Sequence, residues 1–270
     1  MSASIEIICP APQPTCLQHA LFDFDGTISL LRQGWQAVMA PLMVELLSAC
    51  PHSEPDPELA RLVDGYIATS TGIQTIYQMI WLAEAIAARG GQAQPPEVYK
   101  ALYLERLARH IAGRLASVRS DRAAAERYLV PGSRETLAYL QNTGVPCYLA
   151  SGTDVADVRT EAALLGVDSA FAAIHGAIAD WRNYSKAQVI ADILTSHQVP
   201  PTALITFGDG YVEIQNTRDA GGIAVGVATD ESNPGNLDAW KRERLIAAGA
   251  NYIIADLRPA PELLHSLGLD

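Results

Sequence analysis

A chain of 270 residues that is 49% hydrophobic and 18% charged can bury a sizeable core and lies outside the composition of disordered sequences. Its formal net charge of −11 repels phosphate backbones, which excludes nucleic acid as an expected partner and leaves a small anionic substrate needing a locally positive or metal-bearing pocket. With no run of about 18 apolar residues no membrane span is expected, and Cys9, Cys16, Cys50 and Cys147 match neither a zinc pattern nor a disulfide scaffold, so reduced thiols in a cytoplasmic protein are expected.

Residues 1–18 contain "CPAPQPTC" and have neither a basic start nor a sustained apolar stretch; they read as an extended lead-in, not a signal peptide. "HALFDF" (19–24) is the first strand, near-continuously apolar and so expected to be covered on both faces. Two aspartates, Asp23 and Asp25, interrupt it at its end, and Gly26 and Thr27 follow. Residues 31–130 then read at helical period, in "LRQGWQAVMAPLMVELLSAC", "DPELARLVDGYIATS", "TGIQTIYQMIWLAEAIAARGG" and "PPEVYKALYLERLARHIAGRLASV". They form an all-helical insert between the first strand and the rest of the sheet. Arg106, Arg109, His110 and Arg114 make a solvated basic stripe on its last helix.

From 131 onward strands alternate with helices. The strands are "VPCYLAS" (145–151), "AFAAIH" (170–175), "ALITF" (203–207), "GIAVGV" (222–227) and "NYIIA" (251–255). The helices between them are marked by caps: Ser133 before 133–144, Asp154 and Gly166 around 154–166, Ser185 before 185–198. This alternation specifies an α/β fold, a Rossmann-like doubly wound parallel sheet of residues 19–30 and 131–270 that carries the helical insert as a second domain.

Ligands of such sheets bind beyond the carboxyl ends of the strands. There the sequence places Asp23, Asp25, Gly26 and Thr27, then Ser151, Gly152, Thr153 and Asp154, then Gly208, Asp209, Gly210 and Glu213, with Lys186 at a helix start. Buried carboxylates repel one another and are costly out of water, so Asp23, Asp25 and Asp209 require neutralisation. A hard divalent cation does this, and Mg²⁺ favours few carboxylates together with phosphate oxygens. Magnesium and a phosphorylated substrate are therefore expected.

The ordered set "DFDGT", "ASGT", "SK" and "FGDGYVE" resembles the motifs of the haloacid dehalogenase superfamily, over residues from about 19 to 230. The helical insert resembles that family's cap. The resemblance implies that Asp23 is the nucleophile and a metal ligand. It implies that Asp25 is the general acid/base, its backbone carbonyl facing the metal. Members that cleave C–Cl or C–P bonds lack this second aspartate, so phosphoester chemistry is implied. Ser151 is expected to bond a phosphoryl oxygen, or else to cap a helix. The amides of Gly152 and Thr153 are anion donors, and Gly26 and Thr27 shape the turn. Lys186, the only lysine between residues 101 and 240, pairs with Asp23 and the phosphoryl group. Asp209 ligates the metal; Glu213 holds a metal-bound water or orients Lys186.

In the insert, "STGIQTIY" (70–77) resembles a cap loop that enters the active site of relatives, which makes Thr71, Gly72 and Gln74 substrate-binding candidates; an ordinary capped helix accounts for it equally. Arg32, just past the first motif, is placed to reach substrate from the hinge. The expected activity is Mg²⁺-dependent hydrolysis of a small phosphate monoester through an aspartyl-phosphate. Sugar phosphomutation uses the same motifs, and a non-catalytic binding protein is the reading from another class, which has no need of both aspartates.

Overall fold

The computed structural model describes residues 4–10 and 17–269. Cys16 and most of the proline-rich part of the lead-in lie outside the described residues; Cys9, Cys50 and Cys147 are free thiols. In chain order the elements are β1 (Glu6–Ile7), β2 (His19–Phe22), α1 (Gln36–Ser48), α2 (Asp56–Ser70), α3 (Thr75–Ala88), α4 (Pro96–Ser120), α5 (Ser133–Asn142), β3 (Cys147–Asp154), α6 (Val155–Leu165), β4 (Phe171–Ala177), α7 (Lys186–His197), β5 (Leu204–Gly208), α8 (Tyr211–Ala220), β6 (Ile223–Val227), α9 (Ala239–Ala248), β7 (Tyr252–Ile254) and α10 (Ala260–Ser266).

The strands form one sheet in the order β1-β7-β6-β5-β2-β3-β4. Its pairings are parallel except for β1, which lies antiparallel on β7 and gives the lead-in an edge strand. Every residue of β2, β5, β6 and β7 is buried, the consequence of helices on both faces of a parallel sheet. The chain winds from β2 outward through β3 and β4, then returns to the other flank of β2 with β5. The carboxyl end of β2 is therefore the switch point at which open α/β sheets bind ligands.

Two local expectations change. β3 does not stop at Ser151 but runs to Asp154, because its pairing with β4 resumes at Asp154↔Ala177 beyond an irregularity that follows Ala150. Ser133 does not cap α5: Gly132 is the N-cap at φ +85°, and the Ser133 hydroxyl donates to Val130 O at 2.6 Å. By contrast, Ser185 accepts from Gln188 N at 3.1 Å, and Gly166 closes α6 in the left-handed conformation.

The chain divides into two compact units, one running to Gln33 and resuming at Ser117, the other Gly34–Ala116. Helical periodicity sets the insert at 31–130, whereas residues 31–33 and 117–130 belong to the sheet unit. Backbone pairing explains why: Leu30 N donates to Tyr128 O at 2.8 Å and Val130 N to Ile28 O at 3.0 Å, while Arg32 is tied to α6. Within the helical unit Met39, Leu42, Leu47, Leu59, Met79 and Leu107 belong to one apolar core, to which "IYQMIWLAEAIAA" (76–88) contributes Met79, Leu82, Ala85 and Ile86. Among the described residues no helix is long and apolar enough to cross a membrane.

Candidate active site

The site begins where β2 ends. Asp23 N donates to Phe207 O at 2.9 Å, which sets Asp23 beside the end of β5 and hence beside Asp209. Phe22 stacks on Phe207 with ring centroids 4.9 Å apart, an apolar floor below the carboxylates. The chain then folds into a tight loop, with Phe24 O accepting from the amides of Ile28 and Ser29 at 2.9 Å each. Gly26 is required twice over: its φ is +81°, and a Cβ there would lie 2.2 Å from Asp209 Oδ2. Gly208 is similarly constrained, since its Cβ would meet Glu213 Cγ at 2.2 Å.

Four carboxylates and two ammonium groups are packed at these strand ends. Lys186 Nζ donates to Asp23 Oδ1 at 2.7 Å and to Glu213 Oε2 at 2.8 Å. The other Glu213 oxygen accepts from Gly210 N at 2.6 Å, a side chain reaching back over the start of α8. Asp209 Oδ2 and Glu231 Oε1 each lie 2.7 Å from Lys241 Nζ, and Thr27 Oγ1 donates to Asp209 Oδ1 at 3.4 Å. Burial, reinforced by the Glu213 and Asp209 charges, lifts the Asp23 carboxyl well above its ordinary range against the pull of Lys186. Burial also works against the Lys186 ammonium, but Asp23 and Glu213 more than offset it and hold the amine above its ordinary range.

Asp25 is turned away from this cluster. Its Oδ2 accepts from Thr153 Oγ1 at 2.8 Å, and its Oδ1 lies 3.9 Å from Arg32 Nε. Burial raises its pKa, opposed by Arg32 and by the Thr153 bond. Nearby, Ser151 Oγ accepts from Thr153 N at 3.0 Å, while Ser151 O accepts from the buried Tyr184 hydroxyl at 2.8 Å.

The residues fit a hard divalent cation. Asp23, Asp209 and Glu213 each offer a carboxylate oxygen, all within 4.8 Å of one another. Both Glu213 oxygens accept short hydrogen bonds, at 2.8 and 2.6 Å, whereas the Thr27 bond to Asp209 Oδ1 is long at 3.4 Å, so Asp23 and Asp209 are the natural direct ligands, in keeping with a Mg²⁺ that takes one or two carboxylates and completes its shell with water and phosphate. Four carboxylates set against two ammonium groups leave an excess of two negative charges, which one divalent cation balances.

The sheet unit thus brings together Asp23, Asp25, Gly26, Thr27, Ser151, Thr153, Lys186, Asp209 and Glu213. Gly152 is half-buried beside Ser151. Three expectations are corrected. Thr153 does not offer its amide to an anion, because the amide is already donated to Ser151 Oγ and its hydroxyl holds Asp25. Arg32 does not reach toward substrate: it is only 8% exposed and is gripped by Glu161 and Asp157 of α6. The Asp25 carboxylate does not join the acidic cluster, for the same reason that Thr153 and Arg32 hold it. Thr71, Gly72 and Gln74 lie in the other unit, at the α2–α3 connection, where Thr71 Oγ1 bonds Ile67 O at 2.9 Å and Gly72 has φ +96°.

Sequence reasoning missed Lys241, which lies just beyond the stretch 101–240 in which Lys186 is the only lysine. A signal existed: Asp238 caps α9, and the lysine follows within the first turn, as Lys186 follows Ser185. It also missed Glu231, Tyr184 and Glu161, which carry no motif.

A family model described as haloacid dehalogenase-like hydrolase matches residues 17–221. The chain belongs to this family. A search of curated proteins returns no match. Among solved structures, this haloacid dehalogenase-like hydrolase is similar to a protein described as a predicted phosphoglycolate phosphatase from Haemophilus somnus 129PT, at 13% identity and TM-score 0.61, over 92% of this chain and 97% of that one. It is similar to a β-phosphoglucomutase from Clostridium difficile at 15% identity and TM-score 0.60, covering 93% and 96% of the two chains. It is also similar to a HAD family hydrolase from Deinococcus radiodurans R1, solved with bound phosphate and sodium, at 18% identity and TM-score 0.55, covering 96% and 98%. At these identities the likeness concerns the fold.

Proposed function

We propose that the protein is a Mg²⁺-dependent phosphatase that hydrolyses a small phosphate monoester through an aspartyl-phosphate, with Gly34–Ala116 serving as its helical cap. The observation that carries this reading is the division of labour between the two aspartates. Asp23 is buried against Lys186 and within reach of Asp209, while Asp25 is held apart from that cluster by Thr153 and faces Arg32.

In this reading an Asp23 oxygen attacks phosphorus, and Asp25 donates its proton to the leaving oxygen as the P–O bond breaks. Asp25, now a carboxylate, takes a proton from the water that cleaves the acyl-phosphate. Lys186 offsets the charge on the phosphoryl oxygens and favours ionised Asp23; Glu213 keeps the amine aimed at it. Ser151, its hydroxyl free to rotate, donates to a phosphoryl oxygen. Asp23 and Asp209 would hold Mg²⁺, which supplies charge neutralisation between carboxylates and phosphate when bound.

The test is release of inorganic phosphate from a panel of small phosphate monoesters with Mg²⁺ present. Activity should vanish in EDTA and return with Mg²⁺. Asp23→Asn, an amide of nearly the same size, should fold and lose at least about 10⁴-fold in kcat; near-wild-type turnover would sink the mechanism. The fold shared with a β-phosphoglucomutase favours phosphomutation as the second reading. Interconversion of 1- and 6-phosphosugars without phosphate release would establish it instead.

A further inference from the structure

Arg32 is a buried guanidinium with no part in the scheme above. Its donors go to α6: Nε lies 3.0 and 3.2 Å from the two Glu161 oxygens, and Nη2 lies 2.7 Å from Glu161 Oε1 and 3.0 Å from Asp157 Oδ2. A planar fork gripped in this way cannot swing. Two observations tie it to Asp25. Asp25 Oδ1 is buried and has no hydrogen-bond donor among the described residues, and the nearest cation is Arg32 Nε at 3.9 Å. On its other side Oδ2 accepts from Thr153 Oγ1.

The last torsion of an aspartate is broad, so one hydrogen bond leaves the carboxyl plane loosely set. A fixed positive charge behind Oδ1 supplies the second constraint. We propose that Arg32 is a positioning residue for Asp25: anchored on α6, it keeps Oδ1 turned into the protein and so presents Oδ2, on the Thr153 side, as the oxygen that exchanges the proton. This rests on the reading of Asp25 as the proton donor. In the step concerned, the proton passes from Asp25 Oδ2 to the leaving oxygen, which keeps the electron pair of the breaking P–O bond, and Asp25 is left as a carboxylate facing Arg32.

The test uses the full chain with Mg²⁺ and compares kcat/KM, which reports on steps up to loss of the leaving group, for an alkyl phosphate and for p-nitrophenyl phosphate. An alkoxide leaving group needs the proton; p-nitrophenolate does not. Arg32→Met should lower kcat/KM at least about 30-fold on the alkyl ester and less than about threefold on the aryl ester. On the aryl ester in an Asp25→Asn background it should cost nothing further, since both changes remove one function. Because Arg32→Met strands Glu161, the paired variant Arg32→Met/Glu161→Gln should show the same asymmetry and serves if the single variant does not fold. Equal losses on the two esters, or additive losses with Asp25→Asn, would overturn the role of Arg32. Wild-type activity of Asp25→Asn on the alkyl ester would overturn the assignment of Asp25 itself, a different and separable failure.

Discussion

In the helical unit Leu42, Leu59 and Met79 fill the interior, while Arg106 pairs with Glu45 and Arg109 with Glu105 at the solvent boundary. At the strand ends of the sheet unit the arrangement is inverted: Lys186, Lys241 and Arg32 are all less than 9% exposed, and Asp23, Glu213 and Glu161, which hold two of them, are buried as well. Buried ion pairs rarely stabilise more than well-packed apolar side chains of the same volume. A chain selected for stability alone would fill the strand ends as it fills the helical unit. The burial of charge there is a cost accepted for chemistry, because the same low dielectric that penalises lone charges strengthens their grip on a reacting phosphoryl group.

The largest stability effect should come from breaking a charge pair at the strand ends. Lys186→Met leaves Asp23 and Glu213 without their shared cation, and loss of one partner from a buried pair costs about 3–5 kcal/mol. The sign with pH follows from the two abandoned carboxylates. Burial penalises their charged forms in the folded state, so the variant's deficit grows as pH rises above about 4, where carboxylates ionise in the unfolded chain, and shrinks as pH falls back toward it. Urea unfolding at a series of pH values measures it; a deficit independent of pH would mean that packing, not charge, is at stake. Next in size is Leu42→Ala in the helical unit, a truncation of a fully buried side chain that should cost about 2–5 kcal/mol. That loss should be the same at pH 5 and pH 8, and a pH-dependent one would dissolve the contrast between the two regions.

The same contrast explains what was legible in the sequence. Strands buried on both faces announce themselves as apolar runs; Asp23, Asp25, Ser151 and Asp209 were visible because each interrupts, ends or follows such a run, and Lys186 because it opens a capped helix in a long stretch without another lysine. The helical unit was visible for the converse reason, since an apolar interior with exposed charges yields a clean helical period. What stayed hidden depends on contacts between distant positions. Arg32 read as a residue at a hinge until Glu161, 129 positions later, was found to hold it. Lys241 went unremarked because only the fold brings it to Asp209, which it shares with Thr27. The boundaries of the helical unit were shifted by backbone pairing between residues 28–30 and 128–130, which has no periodic signature. β3 outran its apolar run because strand pairing with β4, and not hydropathy, decides where a strand stops.

The smallest expected effect sharpens the comparison most. Arg109 and Glu105 form an ion pair one helical turn apart, with side chains 69% and 67% exposed. Water already solvates both partners, so Arg109→Ala should cost only about 0.3–0.5 kcal/mol in dilute buffer. At 1 M salt the screening length falls to about 3 Å and the difference from wild type should disappear. The Lys186 pair, enclosed by protein, should keep most of its contribution under the same salt. Urea unfolding of wild type, Arg109→Ala and Lys186→Met in low and high salt places the two kinds of ion pair on one scale. If salt erased the Lys186 deficit as readily as that of Arg109, solvent would reach the strand ends freely, and the low dielectric that the proposed phosphoryl chemistry relies on would be absent.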